Sequence, residues 1–329
     1  MTEANATPYY DLSPDLVLTA VEDLGLVTDG RLLALNSFEN RVYRIGIEDD
    51  APVVAKFYRP GRWSDDQIRE EHAFTAELAA AEIPAVPPLV LAGATLHRFA
   101  GFRFALSPMR GGRTPELEDP AVLAHLGRYL GRIHAAGASA AFRVRPALDI
   151  ASFGEMPRDR LLGEAWIPPD LEPSYRGVVA AALDGVRACY AAAGAVAAIR
   201  LHGDCHRGNI LWTDSGPHFV DFDDARRGPA VQDLWMLLAG DRQEMGQQLG
   251  QVLAGYETFR AFDHRELHLV EALRTLRLIH FAGWLARRWE DPAFPAAFPW
   301  FGTHHYWREQ IHQLESQVLA MREGPLERL

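Results

Sequence analysis

Lysine is almost missing from this chain of 329 residues: of its 33 basic side chains 32 are arginine, and Lys56 stands alone. A cation spared in this way marks a position that needs a compact ammonium rather than a planar guanidinium. Cysteine is nearly as scarce. Cys189 and Cys205 make no CxxC pair, which excludes a disulfide framework and fits a reducing cytoplasm. No apolar run reaches the ~18 residues of a membrane span, because the richest stretch, 177–199, is broken by Asp184 and Arg187. Nothing resembles an export leader, so a cytoplasmic protein without a membrane partner is expected. A basic excess is lacking too. With 44 acidic against 33 basic side chains the net charge is −11, which argues against a nucleic-acid partner and suits cationic or magnesium-chelated ligands. Phosphate-cradling glycine loops are absent: there is no GxxxxGK[ST], and no GxGxxG follows a strand.

What remains is an ordinary globular composition, 48% hydrophobic and 23% charged, long enough for two lobes with cores of their own. Ser13 and Pro14 open a short helix that ends near Gly25. Strand-like runs at 31–35, 41–47 and 53–58 read as an antiparallel meander, with Lys56 in its third strand. Ser64 caps a helix to about residue 81, and the prolines of 83–88 stop it. Strands are expected at 89–91 and 101–106, followed by a Pro/Gly linker at 107–113. Beyond it helical spacing dominates, at 116–136, 174–193, 229–238, 244–262, 265–289 and 306–321. One interruption, 201–221, carries two short apolar runs, 210–212 and 218–220, around a turn.

That interruption holds the chemistry. His202-Gly203-Asp204-Cys205-His206-Arg207-Gly208-Asn209 sets an Asp and an Asn five residues apart, and the following hairpin returns Asp221 to the neighbourhood of Asn209. A carboxylate for the acceptor hydroxyl, an amide oxygen and second carboxylate for magnesium, and a strand lysine for nucleotide phosphates are the parts of kinase-type phosphoryl transfer. The five-residue spacing is that of a kinase catalytic loop.

With LNSFENRVYRI (35–45), VVAKFYRPGRW (53–63), EEHAF (70–74), LGRYLGRIH (126–134), RLHGDCHRGNILW (200–212), FVDFDDARRGPAVQDLWMLL (219–238) and DPAFPAAFPW (291–300), the chain resembles the bacterial stress response kinase A, or RdoA-type, family. That family lies in the aminoglycoside phosphotransferase and choline kinase-like branch of the protein-kinase-like fold. The resemblance runs from about residue 8 to 322. It implies an α+β, two-lobed kinase-like fold: a small antiparallel-sheet lobe over 1–108 for the nucleotide, and a mostly helical catalytic and substrate lobe over 109–329. It further implies that Lys56 contacts the nucleotide phosphates with Glu71 as its partner, and that Asp204 is the catalytic base. Asn209 and Asp221 would hold Mg2+, and Ser37 would approach the ATP phosphates. The adenine would meet the backbone around 106–109. The implied activity is ATP- and Mg-dependent transfer to Ser or Thr of protein substrates, by a cytoplasmic monomer active in stress response. A small-molecule acceptor, such as an amino alcohol, homoserine or an aminoglycoside, is the alternative, since one catalytic set serves both.

Several neighbours compete for these roles. Glu70 rivals Glu71 as the partner of Lys56, with helix phase favouring Glu71. Asp223 and Asp224 rival Asp221 for the metal but read as loop and helix-start carboxylates. His202 and Asp233 read as structural supports of the catalytic loop. Cys205 and His206, being adjacent, cannot chelate one tetrahedral zinc well. Arg207 could offset charge on the transferred phosphoryl or simply face solvent. His304, His305 and Trp307 are expected to pack in the core.

Overall fold

A computed structural model describes residues 8–329, so the first seven residues of the expected 1–108 lobe lie outside the described residues. In chain order the first elements are α1 (Pro14–Glu22), β1 (Thr28–Leu35), β2 (Arg41–Ile47), β3 (Asp50–Phe57), α2 (Asp65–Ala80), β4 (His97–Phe99) and β5 (Phe102–Pro108). Next come α3 (Pro120–Ser139), α4 (Met156–Gly163), α5 (Glu172–Ala193), β6 (Ile199–Leu201), β7 (Ile210–Thr213), β8 (Gly216–Phe219) and β9 (Arg226–Gly228). The chain closes with α6 (Val231–Trp235), α7 (Arg242–Tyr256), α8 (Val270–Arg288), α9 (Ala293–Ala297) and α10 (His304–Ala320). Two compact units result. The first comprises the described residues up to Pro115 with Arg143–Arg145 and Gly208–Asp223, and the second comprises Glu116–Phe142, Pro146–Arg207 and Asp224–Leu329.

The first unit is built on an antiparallel sheet of order β1-β2-β3-β5-β4. Alternation along β3 sends Val53, Ala55 and Phe57 into a core with Val17, Val21, Ile45, Phe104 and Leu106 and leaves Lys56 on the opposite face. Phe57 stacks on Phe104 at 5.1 Å. Lys56 stands opposite Val42 on β2 and Ala105 on β5, so its stem is held from both sides. Ser64 begins α2 with a reciprocal cap: its hydroxyl accepts from Gln67 N at 3.2 Å, and its own N donates to Gln67 Oε1 at 2.9 Å. The hairpin β7–β8 joins this unit through Phe219, which bridges to Ala85.

Several expectations differ from the structure, and the helix expected at 244–262 already ends at Tyr256. Segment 89–91 makes no strand, because Ala92 and Gly93 both adopt positive φ and turn the chain back so that Leu91 bridges Ala94; β4 supplies the strand instead. The helix expected at 229–238 shrinks to α6, since Leu237 and Leu238 bond three residues back and Gly240 turns away at φ 93°. The helix expected from residue 265 opens with a 3-10 turn over His264–Leu269, capped by Asp263, before α8 begins.

The second unit is mostly helical, which completes the α+β architecture. Its tightest contact is the crossing of α3 and α7. A Cβ at Gly127 would overlap the Val252 carbonyl, one at Gly131 that of Tyr256, and one at Gly255 that of Ala124, so close backbone approach requires glycine on both helices. Trp307 is fully buried on the edge of Tyr175 at 5.4 Å, whereas His304 and His305 are exposed, so of the three tail residues only Trp307 belongs to the core. Gly127→Ala should destabilise the protein by about 1–3 kcal/mol, read as a lower denaturation midpoint; an unchanged midpoint would mean that the helices part without cost.

Candidate functional site

Five of the residues singled out in the sequence, Ser37, Lys56, Glu71, Asn209 and Asp221, line a single cavity of 460 Å3 within the first unit. Its walls are largely apolar, with Val42, Val54, Ala105 and Leu211, and the chain at Ser107, Pro108 and Met109 forms one edge. Ser37 comes from the β1–β2 loop, Lys56 from β3, Glu71 from α2, and the last two from either end of the β7–β8 hairpin. Val220 N donates to Asn209 O at 3.0 Å, which fixes the two ends side by side.

Lys56 is the electrostatic centre. Its Nζ lies 2.7 Å from Asp221 Oδ1 and 3.5 Å from Asp223 Oδ1. Burial alone would pull the ammonium down, but these carboxylates outweigh it and hold it well above the ordinary lysine range. Asp221 sits at φ 59°, a left-handed backbone uncommon for a non-glycine residue, of the kind that persists where surrounding structure enforces it.

Two of the rival assignments separate here. Glu70 turns away from the cavity and accepts from the backbone N of Val144 at 3.0 Å and Arg145 at 2.8 Å, while Glu71 faces the cavity. The expected Lys56–Glu71 contact is not closed in this structure: within 4.0 Å Lys56 meets Asp221 and Asp223, while Glu71 stands 3.8 Å from His72 and 3.9 Å from Arg145. Burial pushes the Glu71 carboxyl up to about 7 against the pull of the nearby Lys56 and Arg145. Asp223, read from sequence as a loop residue, is buried and tied into the cluster. It receives Asn40 Nδ2 at 3.1 Å and the Arg62 guanidinium, and its carbonyl takes Arg145 Nη1 at 2.7 Å.

As a metal site the cavity offers the Asn209 amide beside the Asp221 carboxylate, with Glu71 and Asn36 elsewhere on its lining. Among the described residues no group of three His, Cys, Asp or Glu side chains could form an all-protein cage. Such a sparse oxygen set fits magnesium, which takes few protein ligands and completes its shell with phosphate and water.

Asp204 lies in the second unit, in a loop held by a buried carboxylate. Asp233 on α6 accepts from the backbone N of His202 and of Gly203, each at 2.9 Å, and from the His134 ring at 3.0 Å. Gly203 is required at its place: φ is 86°, and a Cβ would overlap the Asp224 carbonyl. Arg277 Nη1 on α8 donates to Asp204 Oδ1 at 2.5 Å, and His206 Nε2 stands 3.5 Å from Oδ2. Burial works to raise the Asp204 carboxyl, but the His206 hydrogen bond and the Arg277 charge outweigh it, against Asp224, and hold it below the usual range. Cys205 is fully buried, and burial followed by the charges of Asp233 and Asp204 pushes its thiol well up, so it serves neither as nucleophile nor as metal ligand. Arg207 is exposed.

Sequence reading missed Asn40, Arg62, Arg145, His134 and Arg277. Asn40 and Arg62 stand inside segments it had singled out, as does His134, whereas Arg145 and Arg277 carry no local signal: each reaches its partner only through the tertiary fold.

The chain is similar to known phosphotransferases. The profile of the APH phosphotransferase enzyme family matches residues 31–270. Serine/threonine protein kinase RdoA of Salmonella typhimurium strain LT2 is 43% identical over 323 residues, covering 98% of each chain. Stress response kinase A of Escherichia coli K12 matches with the same identity and coverage. Among solved structures, amicoumacin kinase hAmiN in complex with AMP-PNP, Ca2+ and Ami superposes at TM-score 0.72 with 18% identity, over 95% of each chain. A microcompartment-associated aminopropanol kinase gives TM-score 0.68 with 16% identity, over 93% of this chain and 97% of its own. The fold is that of the kinase-like phosphotransferases. The chain belongs to the APH phosphotransferase enzyme family and, within it, to the stress response kinase A (RdoA-type) family.

The support of the Asp204 loop makes a pH prediction. Glu266 accepts from Val231 N at 2.8 Å at the start of α6, and burial pushes its carboxyl from 4.5 up to about 7. A raised carboxyl contributes stability below the unfolded value and loses it as pH climbs through the folded one. Stability should therefore fall by a few kcal/mol between pH 4.5 and 7.5, and Glu266→Gln should make that fall shallower in urea titrations across pH. An unchanged slope would show that Glu266 is not the group titrating.

Proposed function

We propose that this protein is an ATP- and Mg2+-dependent kinase that transfers the γ-phosphoryl group to Ser or Thr hydroxyls of proteins, in a cytoplasmic stress-response role. The observation that carries the reading is the Lys56–Asp221 pair at 2.7 Å in a cavity shared with Asn209, Glu71 and Ser37. A half-buried cation and a carboxylate that meet in an apolar-walled cavity are the pieces a nucleotide phosphate and its metal would separate and use. In this reading the adenine lies against 107–109, Ser37 and the β1–β2 backbone approach the phosphates, and Lys56 offsets their charge. Asn209 and Asp221 hold magnesium, which supplies charge neutralisation of the phosphate oxygens. Asp204 orients the acceptor hydroxyl, an assignment supported by its five-residue distance from Asn209 and by its ionised state. The protein acceptor is supported by the Salmonella relative, which is named a serine/threonine protein kinase. A small-molecule acceptor is the second reading, favoured by neighbours whose names give amicoumacin and aminopropanol.

Incubation of the purified protein with γ-labelled ATP, magnesium and an extract of the source cells separates the two. Acid-stable label on protein Ser or Thr is expected, and label found only in small molecules would overturn the protein acceptor. Asp204→Ala should lower turnover by about 10²- to 10⁴-fold while nucleotide binding persists, whereas Lys56→Met should weaken nucleotide binding itself. Full phosphotransfer by Asp204→Ala would falsify the assignment of the base, and undiminished ATP affinity in Lys56→Met would remove the lysine from the phosphate site.

A further inference from the structure

The Asp204 carboxylate is bracketed within its own unit. Arg277 holds Oδ1 at 2.5 Å, and His206 stands 3.5 Å from Oδ2. The Arg277 side chain is nevertheless 44% exposed. A guanidinium carries five N–H donors in a rigid fork, so one that holds Asp204 through Nη1 still has donors turned to solvent beside the base.

The groups around it are engaged with one another. Arg226 is paired with Asp224 at 2.7 Å and lies over the Phe153 ring at 4.6 Å. His280 stacks on the same ring at 4.2 Å. Burial first, and then Arg226, Arg287 and Arg277 with Asp224 opposing, push the His280 imidazole down to about 3. Arg277 is half-exposed, whereas Arg226 is buried. Charges beyond about 8–10 Å are screened at physiological salt, so an acceptor at Asp204 meets the Arg277 guanidinium rather than the net charge of −11.

We propose that Arg277 is an acceptor-specificity residue, which holds Asp204 with one N–H and receives with its others a carboxylate or phosphate next to the acceptor hydroxyl. This rests on the reading of Asp204 as the group that meets the acceptor. The acceptor class is then a Ser or Thr with an acidic flank. Amino alcohols and aminoglycosides, which bring an ammonium toward a guanidinium, are disfavoured by like charge.

The test uses matched serine peptides that differ only in whether Glu, Gln or Lys flanks the serine, with aminopropanol as a cationic small acceptor. The full-length protein should phosphorylate the Glu peptide with kcat/KM about tenfold above the Gln peptide, the scale of one charge-assisted hydrogen bond. The Lys peptide and aminopropanol should be poorer still. Arg277→Glu should reverse the order of the peptides, and Arg277→Lys should keep it. If Arg277→Glu does not fold, as judged by its melting curve, Arg277→Gln takes its place and should level the three peptides.

Equal rates for the three peptides with the unaltered protein overturn the proposal. So does preference for aminopropanol, or an Arg277 variant that slows all acceptors by one common factor, which would make the residue a support of Asp204 alone. Asp204→Ala run alongside keeps the two readings apart: retained transfer defeats the base itself, whereas lost transfer with indifferent peptides defeats only the role of Arg277.

Discussion

The interaction on which the loop carrying Asp204 depends is the buried carboxylate of Asp233. A fully buried charge is costly unless every lone pair is satisfied, and here two consecutive backbone amides, of His202 and Gly203, and the His134 ring converge on it. His134 is held in turn by Tyr256 at 3.1 Å. The glycine-tight crossing of α3 and α7, which carry His134 and Tyr256, thereby fixes the backbone that presents Asp204. Gln232 adds a bond from its amide to Gly203 O at 3.1 Å. Helix packing and loop geometry form one chain of causes, and the Asp204 carboxylate hangs at its end.

A different logic governs the first unit, where charges are clustered rather than capped. Asp221 and Asp223 both face Lys56, and Asp223 draws in Asn40, Arg62 and the Arg145 guanidinium. Arg145 arrives from a segment distant in sequence that Glu70 pins by its backbone amides. The neighbouring Glu70 and Glu71 thus divide the work: one anchors a loop, and the other faces the cavity with a carboxyl that burial has raised to about 7.

Much of this was legible beforehand, and the reason is local. The caps at Ser13 and Ser64, the alternation of β3 and the Asp204–Asn209 spacing are encoded within a few residues of where they act. The motifs that resemble the stress response kinases are contiguous and quote themselves. What escaped is what the chain assembles across distance: Arg145 against Asp223, Arg277 against Asp204, His134 against Asp233. The contacts of Lys56 with Asp221 and Asp223 likewise join residues more than 160 positions apart. Element ends were misjudged where turns decided them, at Ala92-Gly93 and at Gly240.

One consequence of the arginine-for-lysine surface lies in covalent chemistry. Acylating agents react with neutral amines and leave guanidiniums largely untouched. In this chain they have one side-chain amine to find, and it is half-buried and held as an ammonium by two carboxylates. The nucleophile that such agents need is withheld for as long as that ion pair is closed, so the surface that has given up lysine has also given up the handle by which its charge could be erased.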